Sequence, residues 1–416
     1  DLVISAPDGY GIGLFDAKNV LIDNVIINNA GVNAMEMIGV ENLTISNSTI
    51  NESGQRAINI GLATGYEANR NIVIENSTIT NTSGNGSTGR TIDMKSVTGT
   101  LTINNNNISN NGGYGFRIDN KPSDTALLMT VSNNTFANNG GVGFYIEDDS
   151  DLDQITAYIT NNNFDGNRKA FVSEEILKLE VTGNFFHNSI QNALEIGVDD
   201  VKIENNSFVN NGGFNISAFG TYHFRANCNW WNTTDLDEIN ATLNDHSRII
   251  YCSILESGDD DNGTFGFQSL EACQDLPPLA EVGGPVETEK DVQCIEEVVE
   301  LDPSALPVVE DAFGKRIYPR VSDPVLGGTY NSGNCGGTVT YTYTYEVDCD
   351  VLEWTYTYNV EDNIDPELVT DVNSKVSFAH NGGDPNDAPT IDKYSCGQVF
   401  DFSVNGSSCT RVMTIT

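Results

Sequence analysis

At 416 residues the chain is too long for one ordinary compact domain, so two or three are expected. Twenty Lys and Arg against 59 Asp and Glu give a formal charge of −39, which disfavours nucleic acid and anionic lipid surfaces, because a polyanion gains nothing by releasing their counterions. The carboxylates suit a salty exterior and offer oxygen ligands to calcium, although a solvated face accounts for most of them.

The eight cysteines all lie from Cys228 onward, which argues for local disulfides in an oxidising compartment, extracellular or at a cell surface. No Cys-x-x-Cys pair points to zinc. No apolar run reaches the length of a membrane helix, so the chain is expected not to span a membrane itself. It starts at Asp1 without a leader and ends within the strand-like Arg411–Thr416, and reads as a piece of a larger secreted or surface-displayed protein.

From the N-terminus a pattern aliphatic-x-Asn-x-x-Ile/Phe recurs. It leads from Ile22, Ile45, Ile74, Ile103, Val131, Ile159, Val181 and Ile203, and its second apolar member is Ile27, Ile50, Ile79, Ile108, Phe136, Phe164, Phe186 and Phe208. The leading residues lie 22 to 29 positions apart. A further apolar pair follows in most repeats, such as Met35/Met37, Ile58/Ile60, Ile92/Met94, Phe116/Ile118, Phe144/Ile146 and Leu194/Ile196. Both sets alternate with polar residues, which is the period of strands rather than of a helix. Short strands every 22 or so residues, turned at Asn110-Asn-Gly112, Asn138-Asn-Gly140 and Asn210-Asn-Gly212, predict an all-β chain. Its first part is a right-handed parallel β-helix of about nine or ten coils.

The asparagine two places after the leading residue (Asn24, Asn47, Asn76, Asn105, Asn133, Asn161, Asn205) is expected to form an inward ladder of amides, about 4.8 Å apart from coil to coil. Several Asn-x-Ser/Thr sequons fall on that ladder and are read as coincidental. If the source glycosylates, Asn81, Asn85 and Asn262 are the better acceptors.

Around Tyr222–Trp231 the pattern gives way to an aromatic, cysteine-bearing segment expected to cap the open coil end, with Trp230 and Trp231 over the last coil and Cys228 bridged to Cys252. With Ile249–Cys252 and the acidic Ser257–Gly263 it resembles the C-terminal cap of secreted bacterial right-handed β-helix proteins, which sets the first domain at 1–272. Residues 273–290, punctuated by Pro and Gly, are expected to be a linker. Beyond it, Val339–Val347 and Trp354–Val360 alternate aromatic residues with threonine, as antiparallel strands with one wet face do.

Together with Val309–Gly314, Asp348-Cys349 and Glu361–Pro366, those strands resemble a hyaline-repeat-like immunoglobulin-fold module of large bacterial surface proteins. The resemblance implies a β-sandwich over 291–366, a second, incomplete module over 367–416, and a spacer rather than a chemical role. It implies a Cys335–Cys349 bridge. Similar modules carry a cysteine where Phe313 stands, so Cys273 is expected to replace it as the partner of Cys294, and Cys396–Cys409 to close the second module.

Outward positions of the second strand form a stripe Glu36, Asn59, Asp93, Arg117, Tyr145, Val172, Glu195 and Ser217, flanked by Lys95, Asp119 and Glu147. Glu36, Asn59, Asp93, Arg117, Asp119, Tyr145 and Glu195 are the candidate ligand-binding residues. Were the chain an enzyme, Asp93, Arg117, Tyr145 and Glu147 would carry the chemistry, as a lyase or glycosidase acting on uronate-rich polymers. The simpler account is charge pairing across adjacent strands. Pectin and pectate lyases, polygalacturonases and alginate epimerases share the architecture, but their histidine, Asp-Asp, Asp-Pro-His and calcium-aspartate signatures are missing, and fold alone does not decide function. Calcium is a candidate at Asp362, Asn363 and Asp365, in a run whose composition resembles cadherin linkers; Asp259–Asn262 departs from EF-hand spacing.

The expectation is a non-catalytic adhesin or appendage component, a rod or glycan-contacting head carried on sandwich spacers. Its partners would be extracellular polysaccharide or neighbouring modules. A carbohydrate-active enzyme is the alternative, and a self-assembling filament or surface-layer subunit a third.

Overall fold

A computed structural model describes residues 2–84, 89–120, 126–148, 154–245, 247–261, 263–284, 287–293, 295–327 and 336–361. The expected calcium ligands Asp362, Asn363 and Asp365, the second module over 367–416 and the Cys396–Cys409 pair lie outside the described residues, as do Asn85, Asn262, Cys294 and Cys335. The chain divides into two compact units, 1–276 and 277–416.

The first unit is a right-handed parallel β-solenoid of about nine turns. Among the described residues, strands of equal rank stack into three parallel sheets. Sheet I has nine strands, from Leu2–Ser5 to Ser207–Val209; sheet II has nine, from Ile12–Phe15 to Ile216–Ala218; sheet III has ten, from Lys18–Asp23 to Ile249–Ile250. The register puts Ile22, Ile45, Ile74, Ile103, Val131, Ile159, Val181 and Ile203 one above another in sheet III. Ile27 through Phe208 align in the same way in sheet I.

These residues are almost wholly excluded from water, and each such side chain contributes roughly 1.5–3 kcal/mol on burial. In the later coils the column turns aromatic. Phe136, Phe164, Phe186, Phe208 and Trp231 stack with ring centroids 5.0, 5.0, 5.2 and 5.1 Å apart.

The asparagine ladder runs one place further along than the sequence suggests. Asn24, Asn47, Asn76, Asn105, Asn133, Asn161 and Asn205 occupy the corner between sheets III and I with φ between 49° and 58°, and Gly183 takes the same corner. Left-handed backbone of this kind is what Asn and Gly tolerate best. Most of these corner side chains are exposed, so the inward stack that argued against glycans at Asn47 and Asn76 does not run through them.

The buried ladder is the next residue: Ser48, Ser77, Asn106, Asn134, Asn162, Asn184, Asn206 and Asn229. Asn134 shows its logic. Its Nδ2 donates to the carbonyls of Ile103 and Ser132 and to Asn162 Oδ1, at 2.9, 2.9 and 3.0 Å. Its own Oδ1 accepts the backbone N–H of Asn106 at 2.9 Å and the Asn106 amide at 3.0 Å. The corner backbone cannot pair with a flat neighbouring strand, so the amide supplies the partners a buried peptide requires. Asn111, Asn139 and Asn167 form a second ladder at the next corner.

The C-terminal end is covered as expected in kind but not in detail. Trp231 closes the aromatic column, and Ile239 of the short helix Leu236–Ala241 packs into the core, with Asp235 capping that helix. Trp230 lies partly exposed instead.

The disulfide joins Cys228 to Cys273, across 45 residues with Cα atoms 5.2 Å apart. Both the Cys228–Cys252 and Cys273–Cys294 expectations are thereby corrected. Coil stacking sets Ser253, not Cys252, over Cys228, whose N–H donates to the Ser253 carbonyl at 2.9 Å. The following segment returns as Gln274–Asp275, antiparallel to Ser253–Ile254, and carries Cys273 alongside. Cys252 and Cys349 are also disulfide-bonded.

The presumed linker is partly strand: Gln274–Asp275 belongs to the first unit, while Ala280–Gly283 and Glu289–Val292 belong to the second. Its prolines only separate short strands.

Among its described residues the second unit has two sheets. Ala280–Gly283, Val308–Glu310 and Arg316–Ile317 form one; Glu289–Val292, Asp350–Glu361, Gly336–Val347 and Arg320–Val321 form the other, with Val325–Gly327 also on Gly336–Val347. Pairing is antiparallel, except that Glu289–Val292 runs parallel to Asp350–Glu361. The aromatic face is inward: Tyr343, Tyr345, Trp354 and Tyr358 form the core with Val309 and Val339. Their hydroxyls are satisfied, Tyr345 donating to the Pro307 carbonyl at 3.0 Å and Tyr358 to that of Val299 at 2.8 Å.

Candidate functional site

Side chains on successive rungs of a parallel sheet are held in line by the register. Sheet II therefore converts the sequence stripe into a physical one, Glu36, Asn59, Asp93, Arg117, Tyr145, Val172, Glu195, Ser217. A second row two residues on brings together Lys95, Asp119, Glu147 and Glu174.

Asp93 is the centre. Its side chain is 1% exposed and is ringed by three guanidinium groups: Arg56 Nε at 3.1 Å and Arg90 Nη1 at 3.4 Å, both on Oδ2, and Arg117 Nη1 at 3.8 Å from Oδ1. A buried carboxylate is tolerated only when paired in this way. Arg117 is held in turn by Asp119 at 2.9 Å and Glu147 at 3.1 Å, and lies over the Tyr145 ring 5.4 Å from its centroid. Tyr114 packs beside Tyr145 with centroids 5.8 Å apart.

Among the described residues, Asp93 Oδ1 and Asp119 Oδ1 are buried without a hydrogen-bond donor. Polar atoms left so in a native structure call for an explanation.

The two ends of the stripe are quieter. Asn59 donates to Glu36 at 2.8 Å, and Asn33 also donates to Glu36. Glu195 is paired with Lys169 at 2.7 Å and accepts from Asn192 at 2.8 Å.

Burial, with the charges of Glu174 and Glu147 nearby, pushes the Tyr145 phenol far above its ordinary range, so it stays protonated. Burial first, and then the charges of Glu147, Glu175 and Glu195, hold the Glu174 carboxyl above the usual carboxylate range, against the pull of Lys169.

Arg56, Arg90, Lys169 and Glu174 escaped the sequence reading. Arg56 sits at the corner before its sheet II strand, and Arg90 and Lys169 at the first position of theirs, outside the period-two stripe. The only signal was a gathering of cations, Arg56, Arg90, Lys95, Arg117, Arg168 and Lys169, in an otherwise acidic chain. Among the described residues no cluster of three or more His, Cys, Asp or Glu is placed to hold a metal ion, and no helix is long and apolar enough to cross a membrane.

Residues 1–164 match the family described as the right handed beta helix region. Residues 283–360 match the HYR-like domain with 4 cysteines; the matched range holds three, Cys294, Cys335 and Cys349. No curated protein matches. Among solved structures, the catalytic unit of a thermostable GH87 alpha-1,3-glucanase from Streptomyces thermodiastaticus strain HF3-3 is similar at 18% identity, with a TM-score of 0.44, over 51% of this chain and 44% of that one. The chain thus spans less than half of that protein, and the likeness concerns the fold alone.

Proposed function

We propose that the chain is part of a non-catalytic extracellular surface protein, an adhesin or appendage component. Its β-helix presents sheet II as a glycan-contacting face, and the HYR-like module serves as a spacer. A β-helix followed by an HYR-like domain fits an extracellular surface protein, and the disulfide-bonded cysteines fit an oxidising compartment.

The observation that carries the reading is the cluster around Asp93. Its candidate acid and base groups are committed to one another: Asp93 to three arginines, Arg117 to Asp119 and Glu147. Such a network is a preorganised recognition surface. Arg56 and Arg90 each meet Asp93 through one nitrogen, with their side chains about a third exposed, and planar guanidinium forks bind carboxylates and sulfates, while Tyr114 and Tyr145 would offer ring faces to sugars.

The test is a glycan array probed with the purified chain, with and without a calcium chelator. Binding that falls at least tenfold in Arg56→Gln/Arg90→Gln, with no reducing or unsaturated ends released, supports the reading. Product release would overturn it.

One observation favours a second reading, a carbohydrate-active enzyme. Glu174 lies directly over Glu147 in adjacent coils with its carboxyl held toward the protonated form, and a carboxyl so held can serve as a general acid beside a second carboxyl group. Release of oligosaccharides from pectin or alginate, abolished by Glu174→Gln and by Arg117→Ala, would establish it.

A further inference from the structure

The second unit carries a small cationic stripe unrelated to the sheet II face. Between 277 and 361 the basic residues are Lys290, Lys315, Arg316 and Arg320, three of them within one six-residue segment of an otherwise acidic module. That segment crosses from one sheet to the other. Arg316–Ile317 pairs with Val309 and Glu310, then Arg320–Val321 pairs with Tyr343 and Thr344, with Pro319 stiffening the passage between.

In extended backbone, alternate residues share a side. Ile317 packs against the core, whereas Tyr318 is 70% exposed and the Arg320 side chain 87% exposed. Arg316 lies over the Tyr318 ring, 5.2 Å from its centroid, opposite Glu310 in the ladder. Among the described residues Arg320 pairs with Glu346, at 3.9 Å between two exposed groups, a pair of little energetic consequence. Tyr318 is thus held outward between two arginines, with Arg316 over one face of its ring and most of its surface open to solvent.

We infer that Arg316, Tyr318 and Arg320, with Lys315 at the exposed turn just before them, form a binding site for an anionic polysaccharide, a linear chain bearing carboxylate or sulfate groups. The arginines supply forked donors and Tyr318 a flat face for a sugar ring. A thread-like polyanion needs only the width of this stripe, which Glu310 and Glu346 border. A protein partner would need an interface of roughly 1,000 Å² or more, and over that area it would also meet the acidic surface around the stripe. The net charge of the whole chain does not forbid the contact, since exposed charges beyond about 8 Å are largely screened at physiological salt.

The test measures binding of the full chain to immobilised heparin, polygalacturonate, dextran and a single-stranded oligonucleotide over a salt series. The expected result is salt-sensitive binding to heparin or polygalacturonate, the stronger of the two telling sulfate from carboxylate, and none to dextran. Affinity should fall at least tenfold in Lys315→Gln/Arg316→Gln/Arg320→Gln and severalfold in Tyr318→Ala, with tryptophan fluorescence and melting unchanged. A part of the affinity should survive Arg56→Gln/Arg90→Gln, which separates this site from the sheet II face. Full retention in the triple variant, or tighter binding to the oligonucleotide than to either polysaccharide, would overturn the inference. If the triple variant fails to fold, full retention in Tyr318→Ala and Arg320→Gln does the same.

Discussion

Two adjacent asparagines of one sequence type, Asn133 and Asn134, should respond very unequally to truncation. Asn134→Ala removes an amide that is wholly buried. It leaves the Asn106 N–H without its acceptor and takes a donor from the Ile103 and Ser132 carbonyls and from Asn162 Oδ1. One orphaned buried N–H costs about 1–3 kcal/mol and each of the three further lost bonds about 1 kcal/mol, so the expected loss is about 4–6 kcal/mol. Asn134→Ser should recover part of it, because Ser48 and Ser77 fill the same place in the early coils and accept a backbone N–H at 3.2 and 3.1 Å.

Asn133 occupies the corner at φ 58°. Asn133→Gly, as nature has at Gly183, should change stability by no more than about 0.5 kcal/mol, and Asn133→Ala should cost about 1 kcal/mol for the left-handed backbone. Urea unfolding gives the global values. Hydrogen exchange at the Asn106 amide gives the local one, which should accelerate about a hundredfold or more in Asn134→Ala. If Asn133→Gly proves the costlier change, or the Asn106 amide is unaffected, the assignment of ladder and corner is wrong.

Replacing Cys228 and Cys273 together by serine should destabilise the first unit by about 4 kcal/mol, the loop-closure value for a bridge of this span, seen as a lower melting temperature; an unchanged melt would show that the cap is held by packing alone. Glu174 binds its proton more tightly when folded than its ordinary value of 4.5. Stability is therefore lost as pH rises from that value through the folded one, and Glu174→Gln should gain on the parent in melting temperature between about pH 4 and pH 7. Parallel melting curves would refute it. His187, whose Nε2 lies 3.0 Å from Ser207 Oγ, is pushed by burial below its ordinary value of 6.5. The unfolded chain takes that proton first, so stability is complete above this value and lost as pH falls through the folded one. His187→Gln should flatten the loss between about pH 7 and pH 5 in a melting series.

The coil was legible because its period is written in residue types that must be buried. Ile74, Ile103 and Val131 stack because no other register hides all three, and the stripe from Glu36 to Ser217 follows as soon as strands alternate. The aromatic and threonine faces of Gly336–Val347 were legible on the same ground. What the sequence left open depends on where chain segments arrive in space. Asn133 and Asn134 are the same residue, and only the left-handed backbone at the corner sends one amide outward and the next inward.

Cys228 pairs with Cys273 because the cap returns antiparallel past Ser253, a path that cysteine spacing does not encode. Arg56 reaches Asp93 across 37 residues of sequence because inserted loops of unequal length still end on the same rung. Local periodicity fixes which face of a strand is buried, since burial is repeated at every coil. The partners of a corner, a cap or a charge are chosen once, by long-range geometry, and only the folded chain decides them.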